Sequence, residues 1–90
     1  MAQIIVDPAD LRRFASVLEQ EVRNLRERQR ALEAVRRDLA QVWRDARYAT
    51  FERTYLPTIQ VLERFEKAAE RYAGYLRSKA DRADRYLGRR

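Results

Sequence analysis

The stretch that decides the fold is Asp7–Leu39, which reads DPADLRRFASVLEQEVRNLRERQRALEAVRRDL. It opens with a helix start signal. Asp7 can accept a hydrogen bond from a free backbone N–H, and Pro8 suits the first helical position because no donor is needed there. Asp10 adds a negative charge at the positive end of the helix dipole. No Gly or Pro follows within the stretch, so it predicts one long helix from Pro8 to about Val42.

Apolar residues recur along this helix at spacings of three, four or seven, which is the periodicity of one helix face. Arginine and glutamate fill many of the positions between them. Gln29 interrupts the stripe, where a polar residue can fix register or partner choice, as in coiled coils, or simply lie partly exposed. The stripe consists of Leu11, Phe14, Leu18, Val22, Leu25, Leu32, Val35 and Leu39.

A second periodic stretch predicts a second helix over about 47–87. Pro57 lies inside it and removes a backbone hydrogen bond, which predicts a kink or a short break near that residue. The apolar face is broader than one antiparallel neighbour would cover, so we expect a second contact surface, used by another copy or a related chain. Its members are Phe51, Tyr55, Ile59, Leu62, Ala69, Tyr72, Leu76, Ala80, Ala83 and Leu87, widened by Val61, Phe65, Ala68 and Tyr75.

The position of the turn is less obvious, because residues 42–50 contain no Gly or Pro. A turn at about 43–46 gives two arms of comparable length, whereas a turn at Pro57 does not. Asp45 is also a suitable N-cap for a following helix. The sequence therefore predicts a single all-α domain over residues 1–90, an antiparallel two-helix hairpin that dimerises into a four-helix bundle.

The composition agrees with this fold and limits the chemistry. Hydrophobic residues make up 46% of the chain and charged residues 38%, with two Gly and two Pro. The chain has no Cys and no His, which excludes disulfides, Cys/His zinc sites and catalysis by those residues. Ile4-Ile5-Val6 is too short for a signal peptide, and no apolar run approaches the roughly 20 residues of a membrane span. We therefore predict no cofactor, no metal and no membrane span. An enzyme can also work through Arg, Lys, Gln and Glu, as helical chorismate mutases do. Those enzymes arrange such residues across three helices, into which two long arms do not divide, so we predict no enzymatic activity.

The net charge of +6 raises an alternative function. A basic hairpin could bind nucleic acid through its C-terminal tail, where six cations face only two anions. Acidic residues are interleaved with the basic ones along most of the chain and would repel phosphate, which favours a protein partner. The cations of the tail are Arg77, Lys79, Arg82, Arg85, Arg89 and Arg90.

The segment Leu39–Phe51, which reads LAQVWRDARYATF, resembles the centre of a WXG protein. In that family a Trp-X-Gly turn joins two long antiparallel helices in a chain of about this length. Ala46 and Phe51 fill the places of an alanine and an aromatic residue that are common after the turn. Asp45 stands where the family has glycine. The opening segment VDPADL, residues 6–11, also resembles the start of many members.

The resemblance implies a non-catalytic association module, a homodimer or a heterodimer with a related hairpin. Such proteins are substrates or small partners of type VII secretion systems, and a larger secreted effector or the secretion ATPase are further partners. The chain would then be secreted without a cleaved signal peptide, or stay cytoplasmic as a non-exported partner. Many pairs carry Tyr followed four residues later by Asp or Glu. The signal is missing here, because Tyr72, Tyr75 and Tyr86 are followed at that spacing by Leu76, Lys79 and Arg90. A partner could supply it.

Two sets of residues follow as candidate sites. The turn motif, which is also a possible docking site, comprises Trp43, Asp45, Ala46 and Phe51. For Trp43 two roles remain open: an apolar plug that seals the end of the helix pair, or half of a docking site completed by a partner. The predicted dimer or partner interface comprises Leu18, Val22, Leu25, Leu32, Tyr55, Ile59, Leu62, Phe65, Tyr72 and Leu76.

Overall fold

The computed structural model describes residues 7–88. Helix α1 spans Pro8–Val42 and helix α2 spans Ala46–Leu87. The helices pack side by side into an antiparallel hairpin with overall extents of 64 × 26 × 14 Å. The predicted all-α hairpin is confirmed. Ile4-Ile5-Val6 and the tail residues Arg89 and Arg90 lie outside the described residues.

An aspartate caps the start of each helix. The Asp7 carboxylate accepts a hydrogen bond from the backbone N–H of Ala9 at 2.9 Å. Asp45 accepts two, from the backbone N–H groups of Arg47 and Tyr48 at 3.0 and 3.1 Å. Each carboxylate thus satisfies donors that have no partner inside the helix. Asp45 is extended, with φ −101°, so the turn uses its capping oxygen and not the left-handed freedom that a glycine would offer.

Helix α2 is continuous through Pro57. The predicted short break near Pro57 does not occur. Of the two predicted alternatives, only the kink remains. Pro57 is exposed, and this explains why the helix tolerates it. The carbonyl oxygen of Arg53, which loses its N–H partner, lies on a surface where water can replace that donor.

Away from the turn, where Tyr48 and Tyr55 are buried, the contact between the helices is built mainly from small side chains. Ala15, Ala73 and Ala80 are fully buried, and Val22 and Ala69 are 2% exposed. Among residues 7–88, no large side chain is fully buried. A seam of this kind brings the two backbones close together but removes little apolar surface from water, which matters because apolar burial is the main source of stability. A single hairpin therefore has a thin core.

Candidate association face

One long side of the hairpin carries ion pairs between the helices. Arg12, Glu19 and Arg26 follow each other at intervals of seven along α1. The Arg12 guanidinium lies 2.7 Å from the carboxylates of both Asp81 and Asp84. Glu19 pairs with Arg77 at 2.9 Å, and Arg26 with Glu70 at 2.7 Å. We call this the polar side of the hairpin.

The opposite side of the hairpin follows from helix geometry. Val22 faces α2, and residues three and four positions further along lie on either side of it. Because Arg26 is on the polar side, Leu25 lies on the other side. The same relation holds on α2 around buried Ala69: Glu66 contacts Arg26 at 3.4 Å, so Phe65 lies on the side away from it. Leu25 and Phe65 therefore share one face of the hairpin.

That face is apolar along most of its length and largely open to solvent. Phe14 is 57% exposed, Val35 60%, Phe65 55% and Tyr72 64%. A continuous apolar surface of this kind in a small protein usually marks an interaction site. Two charged residues, Glu21 and Arg28, lie in it on α1. The apolar face is formed by Leu11, Phe14, Leu18, Leu25, Leu32, Val35, Leu39 and Val42 of α1, and by Phe51, Val61, Phe65, Ala68, Tyr72 and Tyr75 of α2.

The structure divides the predicted interface residues into three groups. Five of them lie on the apolar face, and Leu62 and Leu76 are half-buried at the edge of the seam. The other three are placed elsewhere. Val22 and Tyr55 are buried between the two helices of the same chain, 2% and 8% exposed, and Ile59 lines a cleft on the polar side. The five on the apolar face are Leu18, Leu25, Leu32, Phe65 and Tyr72.

The predicted interface missed other exposed members of the face. Phe14 and Val35 belong to the same stripe on α1, and Val61 and Tyr75 widen the stripe on α2, so the periodicity contained the signal. What the periodicity lacked was the direction of the neighbouring helix. Without it, residues of the internal seam and residues of the outer face look alike.

An aromatic cluster closes the turn end of the hairpin. The ring of Trp43 lies 5.5 Å from that of Tyr48, edge to face, and 6.2 Å from that of Phe51. Phe51 in turn stacks on Tyr55 at 5.7 Å. The predicted turn residues Trp43 and Phe51 are thus in contact, whereas Ala46 is exposed beside them. Tyr48 and Tyr55 are the members that sequence reasoning did not assign to this end.

A polar network lies next to the aromatic cluster. The Arg36 side chain donates hydrogen bonds to Glu33 at 2.6 and 2.8 Å, to the Tyr48 hydroxyl at 3.1 Å and to Glu52 at 3.0 Å. The Tyr55 hydroxyl donates to Glu33 at 2.9 Å. Since Glu33 and Arg36 come from α1 and the others from α2, the network fixes the helices relative to each other near the turn. It also raises the pKa of Arg36, mainly through Glu33.

This network gives a testable pH dependence. Hydrogen bonds from Arg36 first, and from Tyr55 second, lower the pKa of Glu33 from its ordinary value of 4.5 to about 2. Because the folded pKa is depressed, the stability that Glu33 contributes is present above pH 4.5 and is lost as the pH falls toward 2. We expect Glu33→Gln to destabilise the protein at neutral pH, with the difference from wild type shrinking over that window in urea unfolding.

A second variant and a direct titration check the cause of the shift. Tyr55→Phe removes one of the two donors, so the pKa of Glu33 should rise part of the way back toward 4.5. NMR of the Glu33 carboxyl group measures this in both proteins. A wild-type Glu33 that titrates at its ordinary value would contradict the proposed network.

The cleft on the polar side has a volume of about 780 Å³ and lies near the middle of the hairpin. Glu66, 2% exposed, and Gln29 line it from opposite helices. Among the described residues, neither Oε2 of Glu66 nor Nε2 of Gln29 has a hydrogen-bond partner. The cleft is wide enough for water to satisfy both atoms.

No cluster of three or more Asp or Glu side chains within residues 7–88 could hold a metal ion. Neither helix, as described, is apolar enough to cross a bilayer.

The fold has counterparts among solved structures. The crystal structure of a secreted protein, EsxB from Bacillus anthracis str. Sterne, matches with a TM-score of 0.80 and 22% sequence identity, over 96% of this chain and 98% of that one. The structure of the wild-type protein in space group P21 matches with a TM-score of 0.78 and 23% identity, over 91% of this chain and 94% of that one. No protein-family model matches the chain, and no curated protein matches its sequence. The likeness shows that the chain has the helical-hairpin fold of EsxB.

Proposed function

We propose that this protein is a non-catalytic association module, whose apolar face packs against another helical hairpin to form a four-helix bundle. The observation that supports this most is the asymmetry of the hairpin. The polar side carries ion pairs between the helices, whereas the apolar face exposes aromatic and aliphatic side chains along both helices. Covering that face would add the apolar burial that the thin alanine seam does not provide.

The biological role we propose is that of a substrate, or the small partner of a substrate, in a type VII secretion system. Two observations support it: the WXG-like segment around Trp43, and the fold shared over nearly the whole chain with secreted EsxB. The partner is a second copy or a related hairpin. A larger effector or the secretion ATPase would meet the bundle at its ends or outer surface, and export would need no cleaved leader.

Nucleic-acid binding, the alternative function, gains no comparable support. Arg77 of the basic tail is paired with Glu19 at 2.9 Å, and the tail's Asp81 and Asp84 remain on the same surface, bound to Arg12. On the polar side, the tail is therefore ion-paired internally and does not present a continuous basic stripe to phosphate.

A matched pair of leucine substitutions tests the association. Leu32, 46% exposed, lies on the apolar face, whereas Leu56, 52% exposed, lies on the polar side in the same seven-residue series as Glu70 and Arg77. We expect Leu32→Glu to weaken dimerisation by tenfold or more, because association would bury an unpaired carboxylate. Leu56→Glu adds the same charge where it stays in water and should leave dimerisation unchanged. Light scattering over a tenfold concentration range measures both.

The outcomes separate cleanly. Equal weakening by the two variants would show that charge alone, and not the apolar face, controls association.

The secretion role is tested in a bacterium that has a type VII system, by measuring the tagged chain in the culture medium with and without the secretion ATPase. Export that continues without the ATPase would rule out the type VII assignment while leaving the association module intact.

A further inference from the structure

We infer that the polar side of the hairpin holds a second binding site, which takes a helix of a partner protein that carries an acidic residue at every seventh position. The site consists of the cleft beside Gln29 and a row of three arginines along α1, and one carboxylate of the partner enters the cleft. This inference goes beyond the proposed function. The two surfaces lie on opposite sides of the hairpin, so the cleft stays open when the apolar face is covered.

The arginines of the row have no partner of opposite charge within the described part of the chain. They follow each other at intervals of seven on α1, and all three are exposed. Seven residues nearly complete two turns, so the side chains lie in a line with about 10.5 Å between neighbours. The described ion pairs between the helices use other arginines. The arginine row consists of Arg23, Arg30 and Arg37.

Contacts between the helices frame the cleft at both ends. At one end Arg26 bridges to Glu66 and Glu70 of α2 at 3.4 and 2.7 Å. At the other end the Tyr55 hydroxyl donates a hydrogen bond to Glu33 at 2.9 Å. Because the helices are joined on both sides of the opening, the cleft exists before any partner binds. Its volume of about 780 Å³ lies in the range of binding pockets, about 300–1,000 Å³.

Gln29 provides a hydrogen-bond donor inside the cleft. It continues the series of seam residues Ala15 and Val22 at intervals of seven, but it is polar. Its Nε2 atom is buried and has no acceptor among the described residues. A buried donor without a partner is destabilising. An acceptor that enters the cleft therefore gains a hydrogen bond without breaking one within the hairpin.

The charges around the cleft favour a carboxylate as that acceptor. The lining acids Glu33 and Glu66 are compensated by Arg36 and Arg26, which leaves Glu63 as the one lining acid without a cation among the described residues. Three lining cations are likewise unpaired there, so the free charges sum to an excess of positive charge. A water molecule can donate one hydrogen to Oε2 of Glu66 and the other to the entering carboxylate. The three cations are Arg30, Arg37 and Lys67.

The spacing of the arginine row favours an α-helix as the partner. Acidic residues at every seventh position of a helix also lie in a line at intervals of about 10.5 Å, so each carboxylate meets one arginine. Arginine and carboxylate form strong, charge-assisted hydrogen bonds in this geometry. The row is about 21 Å long from Arg23 to Arg37, which is longer than the cleft alone needs for a small ligand.

A nucleic acid fits this surface less well. Each strand of DNA presents a phosphate about every 3.4 Å along the helix axis, so most phosphates beside the row would lie between arginines. Glu27 follows Arg23 by four residues and precedes Arg30 by three, and therefore lies between them on the helix surface. Glu63 lines the cleft from α2. These acids repel a continuous line of phosphates but leave room for widely spaced carboxylates.

Titration with a synthetic helix tests the inference. The probe is a helical peptide of alanine and glutamine with three glutamates at intervals of seven, and NMR of the isotope-labelled chain follows its binding. We expect the side-chain amide signal of Gln29 and the backbone signals of Arg30 and Arg37 to shift. The affinity should fall as the salt concentration rises. A peptide of the same composition with glutamates at intervals of five, spread around the helix, should bind at least tenfold more weakly.

A matched pair of double variants tests the arginine row. Arg30→Glu with Arg37→Glu should bind the probe at least tenfold more weakly than wild type. The control, Arg64→Glu with Arg71→Glu, reverses two exposed arginines that are also seven residues apart but lie on α2 outside the cleft, and it should bind like wild type. Light scattering should show unchanged association in both, because none of the four arginines lies on the apolar face.

Gln29→Leu tests the cleft itself. The substitution replaces an amide that has an unpartnered donor by an apolar side chain, so the free energy of unfolding should not fall. Affinity for the probe should fall about fivefold, because the donor for the entering carboxylate is lost. A purely structural Gln29 would behave in the opposite way, with lower stability and unchanged affinity.

The outcomes separate this inference from the proposed function. Absence of signal shifts at millimolar probe, equal binding of the two peptides, or equal loss in the two double variants would overturn the acidic-helix site. A single-stranded oligonucleotide that binds more tightly than the probe, and is lost in Arg30→Glu with Arg37→Glu, would make nucleic acid the partner instead. Because the site lies within one hairpin, a chain that fails to associate through its apolar face should still bind the probe.

Discussion

Trp43→Ala is expected to lower the free energy of unfolding by about 2–3 kcal/mol, below the full value for a buried tryptophan because Trp43 is only half-buried. The substitution removes the edge-to-face contact with Tyr48 and the contact with Phe51. It also opens the end of the hairpin beside the Arg36 network, where water would compete for the hydrogen bonds between the helices. Urea unfolding followed by far-UV circular dichroism at a fixed protein concentration measures the change.

Trp43→Phe is the control for this prediction. It keeps an aromatic ring against Tyr48 and Phe51. The free energy of unfolding should therefore fall by less than half as much as in Trp43→Ala. Measuring association as well as stability in Trp43→Ala distinguishes the two roles of Trp43, an apolar plug and a docking residue. An apolar plug predicts a less stable protein that still pairs, whereas a docking residue predicts unchanged stability with lost pairing. No change in either measurement would remove Trp43 from both roles.

The hairpin itself was predictable because its signals are local. Asp7 and Asp45 cap helices through backbone groups two or three residues away, and such contacts depend on the neighbouring sequence alone. Long-range contacts are different. The hydrogen bond from Tyr55 to Glu33 joins residues 22 positions apart, and no periodicity in either helix specifies that pairing. The sequence pattern therefore does not predict the Arg36 network.

The periodicity of the sequence does not divide the apolar residues between the seam and the outer face, and this has a physical cause. A helical repeat fixes the angles between side chains of one helix but leaves open which sector meets the neighbour. Here alanines fill the inner sector, with Ala73 and Ala80 fully buried, while larger residues such as Phe65 point outward. An interpretation that assigns the largest residues to one interface cannot separate these sectors, which is why the predicted dimer or partner interface includes Val22 and Tyr55.

Arg26→Ala is expected to lower the free energy of unfolding by about 2 kcal/mol, although Arg26 itself is only partly buried. The reason is the partner it leaves behind. Glu66 is 2% exposed, its Oε1 atom receives a hydrogen bond from Arg26 at 3.4 Å, and its Oε2 atom has no partner among the described residues. Removing one member of a buried ion pair leaves the other as an uncompensated charge. We place the effect below the usual range because the adjoining cleft admits water.

Replacement of the carboxylate itself should behave in the opposite way. Glu66→Met keeps an unbranched side chain of similar length and removes the charge, so we expect stability to be unchanged or raised by up to about 1 kcal/mol. Arg26 would keep its exposed pair with Glu70 at 2.7 Å. Glu70→Gln, the control at that exposed site, should cost less stability than Arg26→Ala.

The double variant Arg26→Ala with Glu66→Met completes the cycle. If the loss in Arg26→Ala comes from the stranded Glu66 charge, the double variant should be more stable than Arg26→Ala alone by 1 kcal/mol or more, as estimated for coupled neighbours. If the loss comes from the packing of the arginine stem against the seam, the two changes should add with no recovery. Urea unfolding of the four proteins at one concentration decides between them. A recovery would show that Arg26 mainly compensates for a buried carboxylate.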